Sequence, residues 1–386
     1  MVIAIGIDPG TKSMDIFGFD DESGDVVIDE AIPRDEITVN PSIIIERLRR
    51  LKEKIGRIDA IVGPSGYGMP LKRACDATDE DIALATFVTK ADVERRLKII
   101  GLRDLMRLMR EADDLNIWFT PGVIHLPTVP LHRKANRIDM GTADKVFSVA
   151  FAIKDQAERL GIKFFETSFI LVEIGFAYTS AIAVERGSIV DAMAGTAGFP
   201  SYLGMGFMDS ELVYALVNAL SDMSKLELFT GGTAFVAGID PYKVEIDEFV
   251  KRAKAYSKVK NGYELMMESI VKDVAVLLTT STPREIILSG RFTRIPEFMS
   301  DVKRALESFL DKINLSIDVT TMSKRASIAK EGAEGAAIIA NGLANGKYKE
   351  IIDVLKLRES NGDIFRYLYL SANIRERLNI FRRLSP

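Results

Sequence analysis

The sequence of 386 residues contains one cysteine, two histidines and no long apolar run. The single cysteine, Cys75, excludes an intramolecular disulfide and is typical of a protein kept in a reducing cytoplasm. Because no apolar run approaches about 20 residues, the sequence predicts no membrane partner. The first residues form a strand-like run without the pattern of an export signal, so we expect a cytoplasmic protein.

A block of basic residues is also missing. Lysine and arginine number 51 against 55 aspartates and glutamates, which gives a net charge of −4. This balance excludes a protein that coats nucleic acid, and we expect no nucleic-acid partner. Apolar residues make up 47% of the chain, enough for two hydrophobic cores, and the length predicts two domains.

Residues 3–19 carry the most informative pattern. An apolar run ends at Asp8, a Pro-Gly turn and three polar residues follow, and a second apolar run begins at Met14. This predicts two antiparallel strands whose loop offers backbone N–H groups, hydroxyls and a lysine to phosphate oxygens, with Asp8 suited to a hydrated Mg²⁺. The alternative is an ordinary polar hairpin in which these residues only shape the turn. The candidate phosphate-binding residues are Gly10, Thr11, Lys12 and Ser13.

The periodicity of the following residues predicts a mixed α/β chain. Strands are expected near 25–30 and 59–63, with a helix near 41–56 between them. Residues 79–116 read as a helical region in pieces, and an amphipathic helix over 141–161 ends at a glycine.

The opening pattern then recurs about 165 residues later, which indicates an internal duplication. Strands are expected at 169–174, 181–184 and 188–193, and the first turn spans 175–180. Near the C-terminus, residues 284–306 read as strand, glycine-containing turn and helix, and an Ala/Gly-rich helix suited to close packing follows.

This order of motifs resembles the superfamily of actin, sugar kinases and heat-shock ATPases. Asp8–Ser13 is similar to its first phosphate motif, Glu173–Ser180 to the second and Leu288–Arg291 to the adenosine motif. The helices at 141–161 and 327–344 resemble its interdomain connectors. The resemblance implies an α/β fold of two duplicated ribonuclease H-like (actin-like ATPase) domains with an interdomain nucleotide cleft.

The resemblance also implies ATP and Mg²⁺ as cofactors. The first domain would comprise residues 1–160 with 345–386, and the second 161–344 with the adenosine motif. Asp8 and Glu173 would serve the metal. Beyond the first loop, the nucleotide-binding residues implied are Gly175, Thr179, Ser180, Gly195, Ser289, Gly290 and Arg291.

Residues 172–206 look most like the acetate and butyrate kinases, and the chain is identified as a member of an archaeal group described as predicted butyrate kinases. This implies in-line, Mg²⁺-assisted phosphoryl transfer from ATP to a small carboxylate, a short-chain acid, by a homodimer. Two arginine positions of those kinases hold other residues here, in the segments 62–68 and 204–208. Loss of such arginines also fits an ATP-hydrolysing switch protein without small-acid kinase activity.

A polar cluster at 131–145, just before the first connector helix, supplies the catalytic candidates. Arg133, Lys134 and Arg137 could replace the missing arginines, and Asp139 could position the acceptor or a metal-bound water. A carboxylate acceptor needs no general base, whereas a hydroxyl acceptor would make Asp139 essential. The catalytic candidates are Asp139, His132 and Arg137.

Each candidate also has a structural interpretation. Asp139 could cap the helix, His132 could be a core or interface histidine, and the basic residues could form a solvated face. Arg291 could pair with Glu297 instead of stacking on adenine. The tail from residue 345 onward could pack on the first domain or serve as a partner surface. The glycines at 231–232 favour a plain turn.

Overall fold

A computed structural model describes residues 1–95, 98–220 and 223–382 of the chain. Within these ranges the strands are β1 (Ile3–Asp8), β2 (Ser13–Asp20), β3 (Val26–Pro33), β4 (Ala60–Val62), β5 (Lys72–Arg73), β6 (Ile117–Phe119), β7 (Phe169–Ile174), β8 (Thr179–Glu185), β9 (Ser188–Ala194), β10 (Glu285–Ser289) and β11 (Asp318–Thr321). No helix in this part of the chain has the length and apolar character needed to cross a membrane.

The helical region predicted in pieces over 79–116 contains α3, α4 and α5, and two helix ends have clear caps. Thr89 and Asp92 form a reciprocal capping box, and the helix predicted over 141–161 runs from Ala143 to Leu160, with Gly161 left-handed at its end. The helices are α1 (Arg34–Val39), α2 (Ser42–Ile55), α3 (Asp79–Thr86), α4 (Lys90–Glu94), α5 (Lys98–Glu111), α6 (Leu131–Lys134), α7 (Ala143–Leu160), α8 (Ser210–Ala219), α9 (Thr233–Val236), α10 (Ile246–Ala253), α11 (Ser257–Leu277), α12 (Pro296–Lys312), α13 (Glu331–Leu343), α14 (Lys349–Val354) and α15 (Ala372–Arg377).

The first sheet has the strand order β3-β2-β1-β4-β6-β5. Its central strand β1 is buried along its whole length, which explains the continuous apolar run that precedes Asp8. β1 pairs antiparallel with β2 and parallel with β4, and the register places Asp8 opposite Asp15. The predicted hairpin is therefore present.

The second sheet has the order β11-β10-β7-β8-β9. β7 pairs antiparallel with β8 and parallel with β10, and β10 pairs parallel with β11. Read from β9 to β11, this is the order in which β3, β2, β1, β4 and β6 lie in the first sheet. The duplication predicted from the repeated hairpin is thus present in the strand topology.

Contacts divide the chain into two units. The first comprises Met1–Thr167, Arg186–Ile189 and the described residues from Ser323 onward, and the second comprises Ser168–Glu185 and Val190–Met322. Helix α13, which the predicted boundary at residue 345 assigns to the second domain, packs against β1 and α7 of the first unit. The division at residues 160 and 345 stays a prediction about functional domains.

Close packing of α13 depends on glycine. A Cβ at Gly6 of β1 would collide with the α13 backbone at Ala333 and Ala337. Likewise, a Cβ at Gly335 would collide with the carbonyl oxygen of Phe147 in α7. The Ala/Gly-rich composition that predicts a closely packed helix therefore brings α13 into backbone contact with a strand on one side and a helix on the other.

The C-terminal segment packs on the first unit. Arg382 forms ion pairs with Glu80 and, at 2.7 Å, with Asp363. The ring of Phe381 lies 4.5 Å from that of Phe87, between centroids. Of the two interpretations of this segment, packing on the first domain agrees with these contacts; residues 383–386 lie outside the described residues.

Candidate functional site

Two facing carboxylates mark the end of the first hairpin. Asp8 is 6% exposed and Asp15 is 1% exposed. Because directly opposed residues of an antiparallel pair share a face, both side chains lie on the same side of the sheet. Ser13 donates its hydroxyl hydrogen to Asp15 Oδ1 at 2.6 Å, so one hydroxyl predicted for phosphate binding contacts Asp15.

Two cations accompany these carboxylates. Lys330 Nζ lies 3.4 Å from Asp15 Oδ2 and 3.8 Å from Asp8 Oδ2. Burial lowers the pKa of Arg34 to about 10, and the charge of Asp8 acts in the opposite direction, which keeps the guanidinium cationic at neutral pH. Lys330, Asp15 and Arg34 are not among the site residues predicted from the sequence. Asp15 could have been found from the hairpin register, since it is the cross-strand partner of Asp8.

The loop between the two strands is shaped around Lys330. A Cβ at Gly10 would collide with Lys330 Nζ, so a side chain there would displace the ammonium from its present position. Thr11 is exposed, and the backbone carbonyl of Lys12 accepts a hydrogen bond from Arg34 N at 3.0 Å. The first turn of α13 approaches from the other side, where a Cβ at Gly332 would lie 2.9 Å from Asp8 Cγ.

The charged groups of this hairpin determine whether it suits Mg²⁺ alone or Mg²⁺ bound to a phosphate chain. Two carboxylates and two cations leave the site close to neutral, and the described residues contain no group of three or more His, Cys, Asp or Glu that could hold a metal ion. Mg²⁺ in phosphoryl-transfer sites is held by one or two carboxylates together with substrate phosphates. Asp8 therefore fits an ion that arrives with a phosphate chain.

The second hairpin aligns three predicted residues. Glu173 of β7 faces Ser180 across the antiparallel pair with β8 and Ser289 across the parallel pair with β10. Residues in such register lie on one face of the sheet. The structure thus gathers Glu173, Ser180 and Ser289, which belong to two different sequence motifs.

Three hydroxyl groups on β8 and β10 are buried without hydrogen-bond partners in the described part of the chain. Thr179 Oγ1, Ser180 Oγ and Ser289 Oγ accept and donate no hydrogen bond within the described residues. A buried polar group without a partner costs about 1–3 kcal/mol, and Ser180 and Ser289, which share the face of Glu173, are suited to a ligand that completes their hydrogen bonding, whereas Thr179 lies on the opposite face of β8. Their position on the predicted phosphate and adenosine motifs agrees with a nucleotide site.

Glycines bring the turns of the second unit close to its strands. Gly290 has a φ of +98°, and a Cβ there would lie 2.5–2.7 Å from backbone atoms of Ile174. A Cβ at Gly175 would lie 2.8 Å from the carbonyl oxygen of Tyr178. Gly195, left-handed at φ +59°, opens a short 3₁₀ turn after β9. A side chain at Gly290 or Gly175 would separate the motif turns from β7.

Arg291 does not form the alternative pair with Glu297. The carboxylate of Glu297 instead lies 3.0 Å from Lys254 Nζ. Within the described part of the chain Arg291 has no ion pair, and its side chain is half-buried beside Gly290. At 231–232 the hydrogen bonding is long-range and not that of a plain turn, because Gly232 N donates to the carbonyl oxygen of Leu203 at 2.8 Å and Gly231 forms an isolated antiparallel bridge with Gly204.

Asp139 does not cap the connector helix. The N-cap of α7 is Thr142, and Asp139 Oδ1 instead accepts a hydrogen bond from Gly141 N at 2.9 Å. Asp139 is 8% exposed. Just after it, Ala143 N bonds the carbonyl oxygen of Gly66 in the loop that follows β4. Since β1 and β4 are parallel neighbours, this loop leaves the same edge of the sheet at which Asp8 lies.

The basic residues before α7 have separate environments. His132 is exposed on α6, so the interpretation as a core histidine is wrong, and Arg137 is half-buried. Lys134 is buried, and its ammonium donates to the carbonyl oxygen of Leu126 at 2.6 Å and to Tyr367 Oη at 3.3 Å. Burial lowers the pKa of Lys134 to about 8. The solvated-face interpretation is therefore wrong for Lys134, whose ammonium is used to hold the C-terminal segment.

Comparisons with solved structures agree with this architecture. An acetate kinase from Porphyromonas gingivalis superposes with a TM-score of 0.57 at 15% identity, covering 88% of this chain and 99% of that chain. A propionate kinase from Francisella tularensis gives 0.57 at 14% identity, with 86% and 99% covered. Acetate kinase from Entamoeba histolytica gives 0.56 at 10% identity, with 81% and 87% covered. At these identities the similarity shows the fold, and the expected two-domain actin-like fold is confirmed.

The sequence comparisons give a family without a described activity. A search of the curated proteins found no match. The model of the family described as "Protein of unknown function (DUF1464)" matches residues 6–370. Because that match spans nearly the whole chain, this protein belongs to the DUF1464 family.

Proposed function

We propose that this protein is an ATP- and Mg²⁺-dependent phosphotransferase that acts on a small-molecule acceptor. One observation carries the proposal: Asp8 and Glu173 lie near the ends of corresponding strands, β1 and β7, in two sheets of the same strand order. Each therefore stands beside the turn that the sequence assigns to phosphate binding. The fold shared with the acetate and propionate kinases supports this interpretation.

The residues of each unit have defined roles in the proposal. Asp8 would hold a hydrated Mg²⁺ bound to the phosphate chain, and this ion would neutralise charge that develops during transfer. Backbone N–H groups of the first turn, with Thr11 and Lys12, bind phosphate oxygens. In the second unit, the unpartnered hydroxyls of Ser180 and Ser289 donate hydrogen bonds to the nucleotide, as do the turn amides beside them.

The proposed acceptor is a short-chain carboxylic acid, in keeping with the named substrates of the acetate and propionate kinases. The acceptor oxygen attacks the γ-phosphorus, the bond from that phosphorus to the β–γ bridging oxygen breaks, and ADP leaves. A carboxylate brings no proton to this step. A hydroxyl acceptor would have to lose one, and the buried carboxylate of Asp139 is the candidate base.

We also propose that the protein works in the cytoplasm as a homodimer, with the domain division predicted from the sequence. The exposed single thiol of Cys75 is in keeping with a reducing compartment. The candidate Arg137 is proposed to neutralise the transferring phosphoryl group, with His132 near it in sequence.

The test is a calorimetric titration of the protein with ATP, with and without Mg²⁺. We expect binding that Mg²⁺ strengthens and that Asp8→Asn weakens by about tenfold or more in the presence of the metal, because the carboxylate that holds its hydration shell is lost. Asp25→Asn, an exposed aspartate in the β2–β3 turn, is the matched control and should bind like the unmodified protein.

Two results would contradict the proposal. Absence of ATP binding at millimolar concentration would mean that neither hairpin serves a nucleotide. Binding that Asp8→Asn leaves unchanged would remove the metal assignment. Where ATP binds, ADP formation that depends on an added short-chain acid favours the carboxylate acceptor, whereas acceptor-independent turnover favours a hydrolysing switch protein.

A further inference from the structure

The segment before α13 is fastened to the first sheet by several hydrogen bonds. Asp29 on β3 accepts bonds from the backbone amides of Ser327, Ile328 and Ala329 at 2.7, 3.0 and 2.7 Å. The next amide, that of Lys330, donates to Asp15 Oδ2 at 2.9 Å. Four consecutive amides are thus bound to two carboxylates, which fixes the backbone position from which the Lys330 side chain extends.

The Lys330 ammonium has N–H donors available for a ligand. Its distances of 3.4 Å to Asp15 and 3.8 Å to Asp8 are ion-pair distances that exceed the usual length of a short hydrogen bond. An ammonium carries three N–H donors, and this side chain is 27% exposed. The Nζ atom also lies against Gly10, the first residue of the candidate phosphate loop.

We propose that Lys330 is a phosphate-binding cation of the first hairpin, held in place by Asp8 and Asp15, and that it binds the phosphate chain of the nucleotide. This inference rests on the proposed function, and it adds a cation to those predicted from the sequence. Asp8 and Asp15 hold the ammonium between ligand-binding events. The phosphate chain then adds negative charge on the exposed side of Nζ.

The experiment compares Lys330→Met with the unmodified protein by calorimetric titration with ATP, adenosine and inorganic tripolyphosphate. We expect the variant to lose about tenfold or more in affinity for ATP and for tripolyphosphate, and to bind adenosine within about twofold of the unmodified protein, because only the charged contact is removed. Lys330→Arg should retain most of the affinity, since it keeps the cation.

Controls separate this role from a structural one. Lys349→Met removes an exposed lysine of α14 and should leave all three affinities unchanged. Lys330→Met leaves two carboxylates without their ammonium. The second variant therefore combines Lys330→Met with Asp15→Asn, which also removes one of the two negative charges. A loss of thermal stability with unchanged affinity for ATP and tripolyphosphate would overturn the proposal.

The outcomes for the two proposals are distinct. If the unmodified protein binds ATP and Lys330→Met binds it equally well, the role of Lys330 is refuted and the nucleotide site stands. If the protein binds tripolyphosphate through Lys330 but not ATP, the phosphate contact stands and the kinase proposal falls. If it binds neither ligand, both are refuted.

Discussion

At the scale of single residues, the candidate site contains buried polar groups of two kinds. Asp15 and Asp139 have partners, whereas the hydroxyls of Ser180 and Ser289 have none within the described residues. Partnered groups contribute to stability, and groups left without partners reduce it. A substitution at such a residue must therefore distinguish the loss of a catalytic or ligand-binding role from the loss of a structural hydrogen bond.

Asp139 permits such a separation. Asp139→Asn keeps an oxygen that can accept the hydrogen bond from Gly141 N, whereas Asp139→Ala removes it. If the carboxylate acts as a base toward a hydroxyl acceptor, both variants should lower turnover by about 100-fold or more. Steady-state rates of ADP formation with carboxylate and with hydroxyl acceptors measure this. Full activity of Asp139→Asn, with loss only in Asp139→Ala, would assign Asp139 a structural role.

At the scale of elements, α13 determines where the polar groups of the first hairpin lie. It is buried along its length, and it contacts both β1 and α7 through small residues. Its first turn approaches Asp8, and Lys330 immediately precedes it. The positive end of the helix dipole therefore faces a carboxylate, an arrangement that stabilises negative charge at this end of the hairpin.

Gly335→Ala tests this packing. Helix propensity alone predicts that alanine would stabilise α13 by about 1 kcal/mol. The structure predicts the opposite sign, because the new Cβ would collide with the Phe147 carbonyl oxygen, and overpacking of this kind costs about 1–3 kcal/mol. Urea denaturation measures the free energy of unfolding.

The control for this variant is Gly24→Ala, where the added Cβ meets no atom within 4 Å and the cost of about 1–2 kcal/mol comes from the left-handed backbone alone. A Gly335→Ala protein that is more stable than the unmodified one would contradict the close approach of α13 and α7.

At the scale of the whole molecule, stability should depend on pH through a buried histidine. His125 is 1% exposed, and burial lowers its pKa to about 4, although the hydrogen bond to the Gly122 carbonyl acts in the opposite direction. In the unfolded chain the pKa is about 6.5. Between these values only the unfolded state binds the proton, so the free energy of unfolding falls as the pH is lowered from about 6.5 to about 4.

The shift of His125 corresponds to a loss of about 3 kcal/mol across this window. His125→Gln should flatten the pH dependence by about that amount relative to the unmodified protein, as measured by denaturant unfolding at a series of pH values. His132→Gln changes the only other histidine, which is exposed, and should preserve the slope. An unchanged slope in His125→Gln would mean that His125 is not the group responsible.

Most of the fold could be predicted from the sequence because its signals are local. Strand β1 and the connector helix α7 follow from apolar periodicity and from a terminal glycine, and the repeated hairpin follows from the recurrence of the same turn chemistry. Those features depend on residues a few positions apart. For the candidate site the sequence marks the turns beside Asp8 and Glu173, but the roles of these residues stay predictions, and Asp15, Arg34 and Lys330 were not predicted.

The sequence by itself determined the hairpins, the duplication and the small-residue helix, since each is encoded in a short stretch of chain. The tertiary structure alone decided which residues that are distant in sequence come into contact. Lys330 reaches Asp15 across 315 positions of sequence, and Lys134 is held by Tyr367 across 233. Such pairs depend on where α13 and the C-terminal segment dock, and docking is decided by complementary packing surfaces that no local periodicity records.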